Sequence, residues 1–293
     1  MSRVLYTVNS YNIIEDEDCG YFRCDPLPTD EELSDYYQRV FYTSRKPDYF
    51  ERQKQDEEWW NLVFQGRLER CAALRDGPIE RVLDIGCGPG LFLKYCQDQG
   101  MDVIGLEPSE DAADFARQSG VQVISGGYEN FSSADLGTFD LIYSNGVLEH
   151  LPDPLSFLET CRDGLGENGQ CFVSVSNDFN PIQQIWLKMG QEPWWLCPPE
   201  HINYFSPDSL SALVVKAGLS PQSVTTTFPI DLFLLMGENY LGNEDVGRVC
   251  HQRRKTFELG LAAIGESDFK DQLYEKFAEL GIGREVDLVA GKT

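Results

Sequence analysis

"RVLDIGCGPGLF", residues 81–92, decides the fold. A short apolar run carries Asp84 near its end, and glycines follow at positions 86, 88 and 90. Such a run leading through glycines into the helical pattern "LFLKYC" reads as strand, tight turn and helix, the unit with which open α/β sheets hold nucleotides at the carboxyl ends of their strands. The turn does not suit a dinucleotide. In G-x-G-x-x-G the third glycine lets helix and strand approach, but that position is Leu91 and Gly90 arrives one residue early. No Lys followed by Ser or Thr closes the turn, so it is not a phosphate-binding P-loop either. A carboxylate at its mouth, Asp84, repels a pyrophosphate and suits an ammonium or sulfonium charge. About twenty residues on, Glu107 ends the next apolar run, where such folds place a carboxylate on ribose hydroxyls. An adenosine with a cationic amino-acid tail meets both requirements.

Outward from this unit, strands are expected at 81–85, 102–107, 121–125, 139–144, 169–176 and 223–228, with a last one in "GREVDLVAGKT" at the C-terminus. Helix starts are legible between them: Ser109 caps one, Asp153 with Pro154 another, Ser206 with Pro207 a third. Strands alternating with helices imply an α/β fold with a mostly parallel sheet and right-handed crossovers. Residues 79–228 with 282–293 form this core. Before it, 1–78 are expected as a helical extension, with a helix from near Asp30 behind a Thr29 to Glu32 capping box and another from about Asp48 to Leu74. Two insertions interrupt the alternation: the aromatic, proline-rich 180–205 and the mostly helical 229–281.

The 293-residue chain carries 48 acidic against 24 basic residues, a formal charge of −24. That surface repels nucleic-acid backbones and anionic lipid, so neither nucleic acid nor a membrane is expected as a partner. The N-terminus lacks the basic start and apolar core of a secretory signal, and no apolar run has bilayer-spanning length. Nine scattered cysteines, mostly inside apolar segments, read as reduced thiols of a cytoplasmic protein.

Four segments in register, "VLDIGCGPG", "VIGLEPS", "FDLIYSNGVLEHLPDP" and "LGENGQCFVSVSN", resemble the class I S-adenosylmethionine-dependent methyltransferases. The resemblance implies a Rossmann-like seven-stranded sheet whose antiparallel last strand lies between strands five and six. It implies S-adenosyl-L-methionine as cofactor, with Asp84, Gly86, Cys87 and Gly88 at its methionine end, Glu107 on the ribose, and Pro108 beside the adenine. Gly127, Tyr128 and Glu129 are adenine-side candidates, and Ser144 and Asn145 face the amino-acid part. By the same resemblance the N-terminal helical extension is a lid that brings Tyr42 over the cofactor. The flanks resemble members acting on sugars and other small metabolites, so a small-molecule acceptor is expected. Some of those members carry four zinc-binding cysteines; here only Cys19 and Cys24 stand in that region, and no metal is expected.

A sulfonium methyl is already activated, so the protein must chiefly align the acceptor and exclude water, with a base where the acceptor is a hydroxyl. His150, in "LEHLP", follows the fourth core strand on the acceptor side; it serves as base, or it and Glu149 organise the loop. His201, in the 180–205 insertion, is a second catalytic or acceptor-binding candidate, whereas His251 lies in a charged helical stretch and reads as surface. Two rivals stand beside this reading. One is an NAD-dependent oxidoreductase, disfavoured by the missing third glycine. The other is a methyltransferase-like module that binds cofactor without turnover.

Overall fold

The computed structural model describes residues 3–29, 32–33 and 54–293. Strand β4 (Arg81–Ile85) opens the main sheet, followed by helix α2 (Leu91–Asp98), β5 (Asp102–Glu107), α3 (Glu110–Gln118), β6 (Gln122–Ser125) and β7 (Phe139–Asn145). The chain continues through α4 (Pro154–Gly164), β8 (Leu165–Ser176), α5 (Pro181–Lys188), the two-residue β9 (Asn203–Tyr204), α6 (Pro207–Lys216) and β10 (Leu219–Thr226). Helices α7 (Glu244–Ala263) and α8 (Ser267–Glu279) precede the last strand, β11 (Glu285–Lys292). The seven strands lie in the order β10-β11-β8-β7-β4-β5-β6. Strands β4 to β8 pair in parallel, and β11 runs antiparallel to both β8 and β10, as the sequence led one to expect.

Alternation along each strand sorts side chains between the two faces. Val82, Val103, Leu141, Phe172 and Val289 join one core with α2, α3 and the preceding helix α1 (Glu57–Ala73). Leu83, Ile104, Ile142, Val173 and Leu288 join the other, with α4 and α6. The anticipated caps are formed: Ser109 accepts from the amide of Ala112, Asp153 from that of Ser156, and Ser206 from that of Ser209. The Thr29 to Glu32 box is reciprocal, with the Thr29 amide on Glu32 Oε2 (2.8 Å) and the Glu32 amide on Thr29 Oγ1 (3.2 Å).

The N-terminal extension corrects the sequence reading. Helix α1 is present, but the chain opens with a β-meander, β1 (Val4–Val8), β2 (Tyr11–Glu15) and β3 (Phe22–Asp25), where a helical segment was expected. "VLYTV" and "YNIIE" are rich in β-branched and aromatic residues, and Asn9 and Ser10 supply the left-handed turn between them (φ 48° and 70°). Strand β3 pairs with β9 of the 180–205 insertion, so the extension and the insertion share one small antiparallel sheet. Ile13 and Cys24 pack there against Trp186, Trp195, Ile202 and Tyr204. Of the expected helix near Asp30 only Glu32 and Leu33 are described, and both are helical; Tyr42 lies outside the described residues.

Candidate functional site

The carboxyl ends of β4 to β8 gather the residues singled out above. After β4, the turn is pinned by the amides of Gly86 and Cys87, which both donate to the Leu106 carbonyl (2.8 and 3.1 Å). Gly86, Gly88 and Gly90 all have positive φ (76°, 52° and 76°), which only glycine adopts without strain. Their surroundings differ. A Cβ on Gly86 would lie 2.5 Å from Val147 Cγ2 and one on Gly90 2.8 Å from the Ala116 methyl, whereas one on Gly88 would meet nothing within 4 Å. Gly86 and Gly90 permit packing, and Gly88 borders open space.

Asp84 is buried at the foot of this turn, and its carboxyl is held well above the ordinary range by burial and then by the like charge of Glu107. Glu107 is buried too. Its Oε2 accepts from the Gly88 amide (2.8 Å) and its Oε1 from the Ser109 amide (2.9 Å), and burial raises its proton affinity against those two bonds. Cys87 belongs to the turn through its backbone. Its thiol points at Gly105, where an added Cβ would lie 2.6 Å from the sulfur, and burial keeps it protonated. The thiol therefore fills core and does not line the open side. Pro108 is exposed beside the turn.

Of the adenine-side candidates, Gly127 and Tyr128 are half-buried and Glu129 is exposed. The Tyr128 ring stands nearly perpendicular to that of Phe157 of α4 (centroids 5.3 Å apart) and packs against that core. At the end of β7, Ser144 Oγ is buried without a hydrogen-bond partner. The neighbouring Asn145 has its Oδ1 engaged by Arg67 (3.0 Å).

Arg67, from the middle of α1, was not foreseen. Its guanidinium makes a two-pronged pair with Asp287 of β11 (both 2.9 Å), donates to Tyr143 Oη (2.5 Å) and Ser174 Oγ (3.1 Å), and lies 5.0 Å over the Phe172 ring. This knot ties the N-terminal extension to three central strands directly under Asn145. One signal was available: Asp287 is an acid in the middle of the apolar run "EVDLVA".

Across the acceptor side, the insertion is stitched to the loop after β7. The Ile202 amide donates to the Glu149 carbonyl (2.8 Å), and Asn203 Nδ2 donates to the carbonyls of Leu148 (3.0 Å) and Leu151 (2.7 Å). These bonds bring His150 and His201 together, with ring centroids 4.9 Å apart and planes at 82°. Glu149 is buried beside them; Oε1 accepts from the Ser176 amide (3.3 Å), Oε2 has no hydrogen-bond partner, and burial pushes its carboxyl up to about 7. His251 stands apart on α7, paired with Asp56 (2.9 Å).

A second polar group missed by the sequence reading follows β8. Asp178 is buried, with Arg284 Nη1 3.7 Å from its Oδ1 and its Oδ2 without a partner; burial pushes it up to about 7. Phe179 next to it adopts a left-handed φ of 59°, costly for a residue with a side chain, and its ring meets Phe22, Trp195 and Tyr204. Nothing in the spacing of "SNDFNP" pointed to this strain.

The sequence profile of the methyltransferase domain family matches residues 31–224. A ubiquinone biosynthesis O-methyltransferase of Vibrio cholerae is 31% identical over 217 residues, spanning 67% of this chain and 86% of that protein. The protein of the same description from Cereibacter sphaeroides is 35% identical over 154 residues, but the alignment covers 48% of this chain and only 60% of the relative. Among solved structures, the plantazolicin methyltransferase BpumL in complex with SAH superposes with a TM-score of 0.54, covering 89% of this chain and 94% of that one. At 15% identity that likeness concerns the fold.

Proposed function

The chain belongs to the methyltransferase domain family, as a class I S-adenosylmethionine-dependent enzyme, and on that premise we propose that it methylates a hydroxyl of a small-molecule acceptor held between the loop after β7 and the 180–205 insertion. The observation that carries the cofactor half is the pairing of two buried acids, Asp84 and Glu107, around a turn whose Gly88 borders open space. A buried carboxylate whose nearest strong influence is another carboxylate is poorly solvated until a cation or a proton joins it. Asp84 suits the ammonium of the cofactor's amino-acid part, and Ser144 Oγ, buried and unpartnered, suits its polar groups. Glu107, already fixed by two amides, presents its remaining lone pairs to ribose hydroxyls. Bound S-adenosylmethionine supplies a methyl group activated by the sulfonium.

On the acceptor side, His150, Glu149 and His201 form the polar wall, carried by the loop after β7 and by the insertion that packs on the meander. The Nδ1 of His150 lies 2.5 Å from the Glu200 carbonyl, which can only accept, so Nδ1 carries a proton and Nε2 is the basic nitrogen of the neutral ring. His150 Nε2 orients the acceptor hydroxyl, and His201 holds the same group from the insertion. The curated relatives named above are O-methyltransferases, which supports a hydroxyl over an amine or carbon acceptor. A cytoplasmic location without nucleic-acid or membrane partners belongs to the same reading. It is supported by the charge of −24, by nine unpaired cysteines, and by the lack among the described residues of a helix long and apolar enough to cross a membrane.

The test has two stages. Calorimetry should detect S-adenosylhomocysteine binding to the folded chain, weakened by Asp84→Ala or Glu107→Ala. Methyl transfer to a panel of hydroxylated aromatic and sugar acceptors should then fall with His150→Ala at unchanged cofactor affinity. Folded protein that binds nicotinamide dinucleotide in place of S-adenosylhomocysteine would overturn the reading.

A further inference from the structure

The three acceptor-side groups converge more closely than acceptor binding alone requires. One ligating atom from each of Glu149, His150 and His201 lies within 4.8 Å of the other two. They come from chain segments some fifty residues apart, brought together by the Ile202 and Asn203 hydrogen bonds to the loop after β7. Two imidazoles and one carboxylate make a donor set for a divalent transition cation with a coordination position left open. We propose that Glu149, His150 and His201 form a divalent-cation site, with zinc-like rather than magnesium-like preference, whose open position receives the acceptor hydroxyl.

Two independent details support ligation. Glu149 Oε2 is buried without a hydrogen-bond partner, although Oε1 of the same carboxylate is held by the Ser176 amide. A buried polar atom left bare is costly, and a cation removes that cost. His150 donates Nδ1–H to the Glu200 carbonyl, the kind of outer-sphere contact that orients an imidazole for ligation through its other nitrogen. Around a tetrahedral ion with bonds of about 2.1 Å, ligand atoms stand about 3.4 Å apart. Separations within 4.8 Å therefore close by at most about 1.4 Å, within reach of side-chain rotations. Imidazole nitrogen favours zinc or cobalt over magnesium, calcium or manganese, which prefer oxygen-rich sets.

With one carboxylate and two neutral imidazoles the loaded site keeps a net positive charge, so it stabilises an anionic acceptor oxygen. The hydroxyl O–H bond breaks heterolytically, the electron pair stays on oxygen, and the proton passes to solvent. This use of the site rests on the hydroxyl-methylation reading, whereas cation binding itself does not.

The experiment titrates Co2+, and separately Zn2+, into the full chain after chelator treatment. Visible d–d absorption and calorimetry are the readouts, and S-adenosylhomocysteine binding is measured on the same samples. One equivalent of Co2+ with tetrahedral-type absorption is expected, weakened at least tenfold by Glu149→Gln and by His201→Ala and unchanged by His251→Ala. Thermal unfolding of each variant identifies any that fails to fold, and Glu149→Gln, nearly isosteric, keeps the test available if His201→Ala does. The proposal is overturned by absence of stoichiometric cation binding, or by tight binding retained in both folded variants, while S-adenosylhomocysteine still binds. Cation binding without S-adenosylhomocysteine binding would uphold the cation site and overturn the methyltransferase reading.

Discussion

Gly86 and Gly88 are two residues apart and both in the left-handed region, yet replacement by alanine should separate folding from ligand binding. At each position the methyl group costs about 1 kcal/mol for the backbone conformation alone. At Gly86 the new Cβ would also stand 2.5 Å from Val147 Cγ2, a β-branched side chain with little freedom to move, adding about 1–3 kcal/mol of overpacking. Gly86→Ala should therefore lose about 2–4 kcal/mol in urea unfolding, and Gly88→Ala, with nothing within 4 Å of its Cβ, only about 1. For S-adenosylhomocysteine the order reverses in importance, because the open space beside Gly88 is where the ligand backbone must approach. A tenfold loss of affinity is the minimum expected for Gly88→Ala. Unfolding with and without ligand reads both effects. At a ligand concentration of 100 Kd the native protein should gain about 2.7 kcal/mol, and the same concentration should stabilise Gly88→Ala by no more than about 1.4. Equal ligand stabilisation of Gly88→Ala and the native chain, or equal destabilisation of the two variants, would refute the reasoning.

Three further outcomes follow from the buried charges. Arg67→Met strands Asp287 and should cost about 3–5 kcal/mol in urea unfolding, while pairing it with Asp287→Leu should recover most of that loss; a double variant as unstable as the single one counts against the pair as the cause. Asp178, pushed up to about 7, keeps its proton in the folded chain from pH 4 to 7 while the unfolded chain releases it. Stability should then fall as pH rises through that window, by roughly 1 kcal/mol per unit, and Asp178→Asn should flatten the slope; parallel pH profiles for both proteins would disprove the assignment. Glu107→Gln keeps shape but loses charge and can accept from only one of the two amides, so it should weaken S-adenosylhomocysteine binding by about tenfold and cost about 1–3 kcal/mol of stability, measured by calorimetry and urea unfolding.

What could be read from the sequence was local. Strand β4, the glycine turn and Glu107 occupy 27 consecutive positions, 81 to 107, and their chemistry follows from spacing within one strand-turn-helix unit. Caps at Ser109, Asp153 and Ser206 are local as well, since each satisfies the amide three residues on. The meander failed because residues 4–25 have no flanking motif, and their strands gain stability from β9, some 180 residues away. His150 and His201 were each named, but their proximity depends on hydrogen bonds from Ile202 and Asn203 that no periodicity encodes.

The buried charges of the sheet separate scaffold from site by a single physical criterion. Removing an ion from water costs several kcal/mol, and a fold can offset that cost with an opposite charge and hydrogen bonds. Arg67 and Asp287 do so completely: five donor contacts of the guanidinium are matched, including both oxygens of Asp287, and nothing is left for a ligand. Asp84, Glu149 and Asp178 do not. Asp84 feels the like charge of Glu107, while Glu149 and Asp178 each retain an oxygen without a partner. All three stand at the carboxyl ends of β4, β7 and β8, along one edge of the sheet. Scattered design errors would have no reason to align in this way, but an edge that completes its electrostatics with a cationic cofactor and a polar acceptor would. The same criterion explains why Arg67 was invisible as a site residue from sequence: it is buried, charged and fully matched, and its role is to hold β7, with Asn145 at its tip, in position for what binds above it.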